Sequence, residues 1–155
     1  MPTSLRDEIK QTRPFRSLEQ EALLSVERTA AVLLHRLGDT FKPHDITPAQ
    51  YNVLRILRGA GSEGLSRTDI RDRLVAQVPD VTRLLDRLEQ AGYVARERTH
   101  IDRRIVTTRI TPTGRDLLTR LDEPVAGAHR AQLGHMTRPQ LKSLIELLAI
   151  ARSAP

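Results

Sequence analysis

Between residues 79 and 110 the hydrophobic period changes, and no other feature constrains the chain as tightly. Val81, Leu84, Leu85 and Leu88 recur at i, i+3, i+4 and i+7, which is one apolar stripe on a helix running from about Pro79 to Gln90. The opposite face carries Asp80, Thr82, Arg83, Asp86, Arg87 and Gln90. Ala91-Gly92 ends the helix. From Tyr93 the period is two. Residues 93–98 (YVARER) and 105–110 (IVTTRI) are alternating or β-branched runs, and the charged stretch 99–104 (THIDRR) between them reads as a hairpin tip.

The flanking segments read as helices. Ser66-Arg67-Thr68-Asp69 is a start resembling a capping box, and it opens a short helix with Ile70 and Leu74 inside. Thr47-Pro48 pairs a capping hydroxyl with a proline at the first helical position, ahead of Tyr51, Leu54 and either Ile56 or Leu57. Gly59, Gly61 and Gly64 are expected to stop that helix. Ser17, with Gln20 three residues on, opens a long pattern of Leu18, Ala22, Val26, Ala30, Leu33 and Leu37, ended by Gly38 and Pro43. Leu24, Ala31 and Leu34 widen its apolar face, so the helix is expected to pack on two sides. Downstream, Thr111-Pro112 starts a helix burying Leu117, Leu118, Leu121 and Val125, with Pro124 expected to kink or break it. Thr137 and Pro139 open a last helix carrying Leu141, Leu144, Ile145, Leu147 and Leu148. Residues 1–16 read as an arm. The fold class is mainly α with one small β-hairpin.

Short helices followed by a hairpin are the plan of a winged helix-turn-helix. A helix about 10–12 Å across fits the major groove of B-DNA. Helix 79–90 offers one face to a core and a polar face to base edges, while the hairpin offers basic side chains to the backbone or the minor groove. The net charge of +6 suits a polyanion, either nucleic acid or an anionic membrane surface. The basic residues cluster at 83–109, on a helix and a hairpin, which favours DNA over a membrane-surface or protein-interaction module.

At these residues the chain resembles the MarR family (multiple-antibiotic-resistance regulators). Residues 80–94 (DVTRLLDRLEQAGYV) look like that family's recognition-helix segment, followed by Arg96 and Arg98. Asp102-Arg103-Arg104, then Ile110-Thr111-Pro112 and Gly114, resemble its wing signature of D-x-R followed by L-T-x-x-G, with Ile110 in place of the usual Leu. The resemblance spans about residues 17–152, with a motif core at 64–114. It implies a homodimer on a pseudo-palindromic double-stranded operator. In that picture 17–45 and 112–155 form a helical dimerisation region and 46–111 the DNA-binding region. Arg104 matches the motif's Arg, expected in the minor groove, and Asp102 its Asp, expected to hold that Arg in pose. Thr82, Arg83 and Arg87 are major-groove candidates by face, and Arg98 and Arg103 join the basic wing. Pro79 is read as the first helical residue, placing a helix N-terminus on a phosphate. Asp80 is expected to cap, to order an Arg or to accept from a cytosine amine. The resemblance further implies a repressor released by a small aromatic or anionic ligand, with His35 as the candidate ligand contact.

Other signals carry less. Gly59, Gly61 and Gly64 fit G-x-G-x-x-G but follow a helix, not a strand, which argues against a dinucleotide site. No acid, base and nucleophile set converges, so no enzyme and no cofactor are expected. The five histidines form no cluster suited to a metal. The absence of cysteine excludes disulfides, thiolate sites and the family's cysteine-based peroxide sensing. No signal-type segment or long apolar run is visible, so the expected location is the cytoplasm of a bacterial or archaeal cell, on the nucleoid.

Overall fold

The computed structural model describes residues 3–153. Among these residues seven α-helices and three strands follow in the order α1 Leu5–Glu8, α2 Leu18–Phe41, α3 Pro48–Ala60, β1 Leu65–Ser66, α4 Arg67–Arg73, α5 Val81–Gln90, β2 Val94–Arg98, β3 Val106–Ile110, α6 Pro112–Leu133 and α7 Arg138–Arg152. Short side chains set the helix starts. Ser17, Thr47, Ser66, Asp80, Thr111 and Thr137 each accept a hydrogen bond from the backbone N–H three residues on. At Thr47, Ser66 and Thr137 the third helical residue (Gln50, Asp69 or Gln140) returns the bond to the cap's own N–H. Each such cap satisfies donors that the helix cannot, and contributes about 1 kcal/mol.

The core lies where α3 crosses α5, α6 and the end of α2. Phe41, Val53, Leu54, Leu57, Ile70, Leu88, Leu118 and Leu121 are fully enclosed. The rings of Phe41 and Tyr51 stand 4.7 Å apart and fasten the C-terminal end of α2 to α3. The three strands form one antiparallel sheet in the order β1-β3-β2, with Val94 opposite Ile110 and Arg98 opposite Val106. The third strand, β1, was not legible as a strand. It pairs Leu65 with Thr108, and Gly64 allows it. At φ +70° a Cβ on Gly64 would lie 2.6 Å from the Thr108 carbonyl oxygen.

Several expectations are corrected. The helix expected to begin at Pro79 begins at Val81, and Pro79 sits just outside the Asp80 cap rather than at the first helical position. The carboxylate of Asp80 outcompetes the proline as the start signal because it accepts from the Arg83 N–H. Helix α2 runs through Gly38 to Phe41, since the amide of Lys42 still reaches the Gly38 carbonyl. Helix α3 likewise includes Gly59 and ends against Gly61. Helix α6 passes through Pro124 unbroken, because Leu117, Leu118, Leu121 and Val125 are buried along one face of it. That packing outweighs a proline penalty of about 3 kcal/mol. Within the expected arm the chain forms α1, and the Arg6 guanidinium donates to the carbonyls of Gln11 and Thr12. Residues 1, 2, 154 and 155, which fall within the expected arm and C-terminal region, lie outside the described residues.

Helix α7 differs from α2 to α6, each of which buries at least one residue. None of its residues is buried, and Ile145, Leu147 and Ile150 are each more than 60% exposed. Leu18, Leu23 and Leu34 on α2 are also exposed.

Candidate nucleic-acid interface

Helix α5 is held by its apolar stripe, with Val81, Leu84, Leu85 and Leu88 all buried. Its outer face therefore presents Thr82, Arg83, Arg87 and Gln90 to solvent. On an isolated helix Arg83 would pair with Asp80 or Asp86, three residues to either side, whereas Arg87 has no acid three or four residues away. Here both acids are engaged elsewhere. Asp80 caps the helix through the Arg83 backbone. Asp86 accepts from Arg96 Nη2 at 2.6 Å. No ion pair takes up Arg83 or Arg87 among the described residues, so both guanidinium groups are available to an anion.

Arg96 is the bolt between α5 and the wing. It donates from Nε to Glu89 Oε2 at 2.9 Å and from Nη2 to the same oxygen at 2.5 Å, while its backbone N–H reaches Glu89 Oε1 at 3.2 Å. These bonds from Arg96 hold the Glu89 carboxyl below its ordinary value, and Glu89 in turn raises Arg96. Sequence reading placed Arg96 on the strand without assigning this role. Asp86 and Glu89 at i and i+3, facing an arginine on the next strand, were the available signal.

The wing tip is built by two side chains. Thr99 Oγ1 donates to the Asp102 carbonyl at 2.6 Å and accepts from the Asp102 N–H at 3.1 Å. Asp102 Oδ1 accepts from the backbone N–H of Arg104 at 2.9 Å. The contact of Asp102 with Arg104 thus runs through the Arg104 main chain. Arg98, His100, Arg103 and Arg104 are all exposed around this turn.

Arg104 also lines a recess of about 690 Å³ between the wing and the helices, together with Ser66, Arg67, Thr82, Arg96 and Ile105. Arg67, which sequence reading did not single out, donates to the Thr82 hydroxyl at 3.0 Å and joins α4 to α5. A second recess is lined by Thr47, Pro79, Asp80, Arg83 and Arg87. Of the sequence-derived residues, Pro79, Asp80, Arg83 and Arg87 gather at this second recess, Thr82 and Arg104 line the first, and Arg98, Asp102 and Arg103 lie on the wing. His35 is exposed on α2 and lines neither recess. Among the described residues no group of three potential metal ligands occurs, and no helix is long and apolar enough to cross a membrane.

The MarR family model matches residues 46–106. An uncharacterized HTH-type transcriptional regulator of Bacillus subtilis, YfiV, is 31% identical over 140 residues, covering 85% of this chain and 79% of that protein. The crystal structure of a MarR transcription factor from Planctomyces limnophilus superposes with a TM-score of 0.69 at 40% identity, over 88% of this chain and 99% of that one. Sco3205, a MarR family transcriptional regulator from Streptomyces coelicolor solved in complex with DNA, shares the fold with a TM-score of 0.80 at 22% identity, over 92% of this chain and 91% of that one.

Proposed function

The chain belongs to the MarR family of transcription regulators, and from that premise we propose that it works as a non-enzymatic, homodimeric repressor that reads a pseudo-palindromic duplex. The observation that carries the DNA reading is the exposed pair Arg83 and Arg87: Arg83 is left without an acidic partner because Asp80 caps the helix and Asp86 is engaged by Arg96, and Arg87 has no acid three or four residues away. Guanidinium groups on a helix face suit guanine edges in the major groove, and the basic wing suits phosphates and the narrow, electronegative minor groove. Pro79 and Asp80 lie at the end of the helix that would enter the groove first. Thr82, held by Arg67, is placed for a backbone or base contact once that bond is exchanged. Arg98 and Arg103 supply phosphate contacts, and Arg104 the groove contact.

The exposed apolar residues of α2 and α7 support a helical dimerisation region formed by residues 17–45 and 112–155, with 46–111 as the DNA-reading lobe. Release by a small anionic or aromatic ligand finds support in the recess beside Arg67, Arg96 and Arg104 rather than beside His35. An occupant there would bias the dimer toward a form whose helices and wings no longer match the operator.

The test is fluorescence anisotropy on a duplex selected by the protein from a random pool, against a random duplex, at fixed salt. Arg83→Ala should lose roughly 1–3 kcal/mol of discrimination. Arg104→Ala should weaken binding at least about tenfold and flatten the salt dependence by roughly one unit, with an unchanged melting temperature. Equal losses on both duplexes for Arg83→Ala would reduce that residue to a phosphate contact. Flotation of the protein with anionic vesicles, without any duplex selected, would favour the membrane-surface alternative.

A further inference from the structure

We propose that Ile101, at the apex of the wing, is an apolar wedge that presses into the minor groove and makes the wing favour steps lacking a guanine amino group. This rests on the DNA reading above and assigns the wing a discriminating contact besides its arginines.

The observation is the complete exposure of this one side chain. Ile101 is 100% exposed, whereas Ile105 and Val106 on the same hairpin are only partly so and line the recess against the helices. The turn does not need Ile101. Its backbone is fixed by the hydroxyl of Thr99 and the carboxylate of Asp102, and it is closed by the Ile105 N–H donating to the Asp102 carbonyl at 3.0 Å and the Thr99 N–H donating to the Ile105 carbonyl at 3.0 Å. A polar residue would serve the free turn equally well and would be better solvated. The neighbours identify the occupant. His100, Arg103 and Arg104 surround Ile101 with exposed basic or ionisable groups, and Asp102 directs its carboxylate into the turn. A lipid-tail or protein pocket would have to accept those cations beside the isoleucine. A nucleic-acid groove takes both at once, with phosphates on the rims and the apolar sugar and base edges on the floor.

The chemistry then predicts a preference. In the minor groove A·T pairs present acceptors only, and a G·C pair adds the guanine N2 amine, which projects into the floor. A branched aliphatic side chain cannot bond that amine and would bury it, so G·C pairs beneath the wing are disfavoured. Steps that unstack easily favour entry of an apolar wedge. The contact is neutral, so it releases no counterions and leaves the salt dependence alone, unlike the contact of Arg104.

The experiment uses the full chain, a duplex it has selected from a random pool, and Ile101→Ala and Ile101→Asn. Both substitutions fall on a fully exposed side chain, and an unchanged melting temperature verifies folding. Burial of about half an isoleucine side chain corresponds to roughly a tenfold loss of affinity on the selected duplex, with little change on a random one and the same slope against salt. The flanking pairs are then changed one at a time to G·C and to inosine·C, which removes the minor-groove amine. At the wing positions G·C should weaken the wild-type protein and inosine·C should restore it, while Ile101→Ala should respond to neither. A wild-type chain that enriches no duplex would overturn the DNA reading and this inference together. A selective wild-type chain whose Ile101 variants keep its affinity and its response to inosine would overturn this inference alone, as would an equal loss on selected and random duplexes.

Discussion

Helices α3 to α5 and helices α2 and α7 are built from the same aliphatic residues and use them differently. In the first group Val53, Leu54, Leu57, Ile70, Leu85 and Leu88 are enclosed by side chains of this chain, with Leu117, Leu118 and Leu121 of α6 closing the core. In the second, Leu18, Leu23, Leu34, Ile145, Leu147 and Ile150 stay exposed. Helices α3 to α5 share one closed core with α6 and the end of α2, while α7 and the rest of α2 carry apolar faces that this chain does not cover. An apolar surface of that kind is what an obligate partner covers. The lesson is that helix amphipathicity alone does not say whether a stripe is filled from within or from another copy.

The largest effect expected from breaking the contrast is in the lobe. Leu57 is 0% exposed, so Leu57→Ala removes atoms from a filled core and should cost about 2–5 kcal/mol in urea unfolding. A loss below about 1 kcal/mol would mean the site collapses and the core is not close-packed as described.

The matching change in the other region is Ile145→Asp. In a lone chain a residue 65% exposed tolerates aspartate with little loss. Across a dimer seam it would lose about 1.5–3 kcal/mol of apolar burial per copy and bury a charge as well. Sedimentation should show the wild-type chain dimeric and this variant shifted to monomer at micromolar concentration. A dimeric variant with wild-type dissociation would take α7 out of the seam.

Much of the fold was legible in the sequence, and the reasons it was or was not are local. Helix starts at Ser17, Thr47, Ser66, Thr111 and Thr137 were readable because a cap binds its own helix three residues on. The stripe of α5 and the hairpin were readable because a change of period needs no knowledge of the neighbours. Pro79 was misplaced because proline and aspartate are both start signals and only geometry ranks them. The strand at Leu65–Ser66 was missed because two residues carry no period, and its signal lies in the close approach of Gly64 to β3. Arg67 on Thr82, Arg96 on Asp86 and Asp102 on the Arg104 backbone depend on packing and turn geometry, which residue spacing does not reveal.

A smaller effect sharpens the boundary between the hairpin and α6. Gly114 sits in the first turn of α6, where a Cβ would lie 2.4 Å from the Tyr93 carbonyl oxygen and 2.8 Å from Ile110 Cγ1. Gly114→Ala must push the strand end away and should cost about 1–3 kcal/mol in thermal or urea unfolding. Gly59 has open space at its Cβ position, so Gly59→Ala within α3 should be neutral or stabilising by up to about 1 kcal/mol. Equal outcomes for the two would show that the close approach at Gly114 is relieved without cost.

The smallest effect separates an ion pair inside the lobe from one that ties the lobe to α6. Glu89 accepts from Arg96 within the lobe, and Asp122 on α6 accepts from both terminal nitrogens of Arg58 on α3, at 3.0 and 2.9 Å. The arginine bonds hold both carboxyls below their ordinary values. A carboxyl depressed in the folded state contributes stability above its unfolded pKa, near about 4, and loses it as pH falls through the lower folded value. Glu89→Gln and Asp122→Asn should therefore each be slightly less stable than wild type at neutral pH, and the gap should close as the medium is acidified below about pH 4. Both carboxylates are more than a third exposed, so water screens the pairs and each gap should stay under about 1 kcal/mol. In the Ile145→Asp background both gaps should persist, because α6 buries Leu117, Leu118, Leu121 and Val125 against this chain's own core. Urea unfolding across pH in the two backgrounds measures this. A gap that shrinks in that background would mean that the core shared by α3, α5 and α6 depends on the face of α7, and the contrast between the two regions would fail.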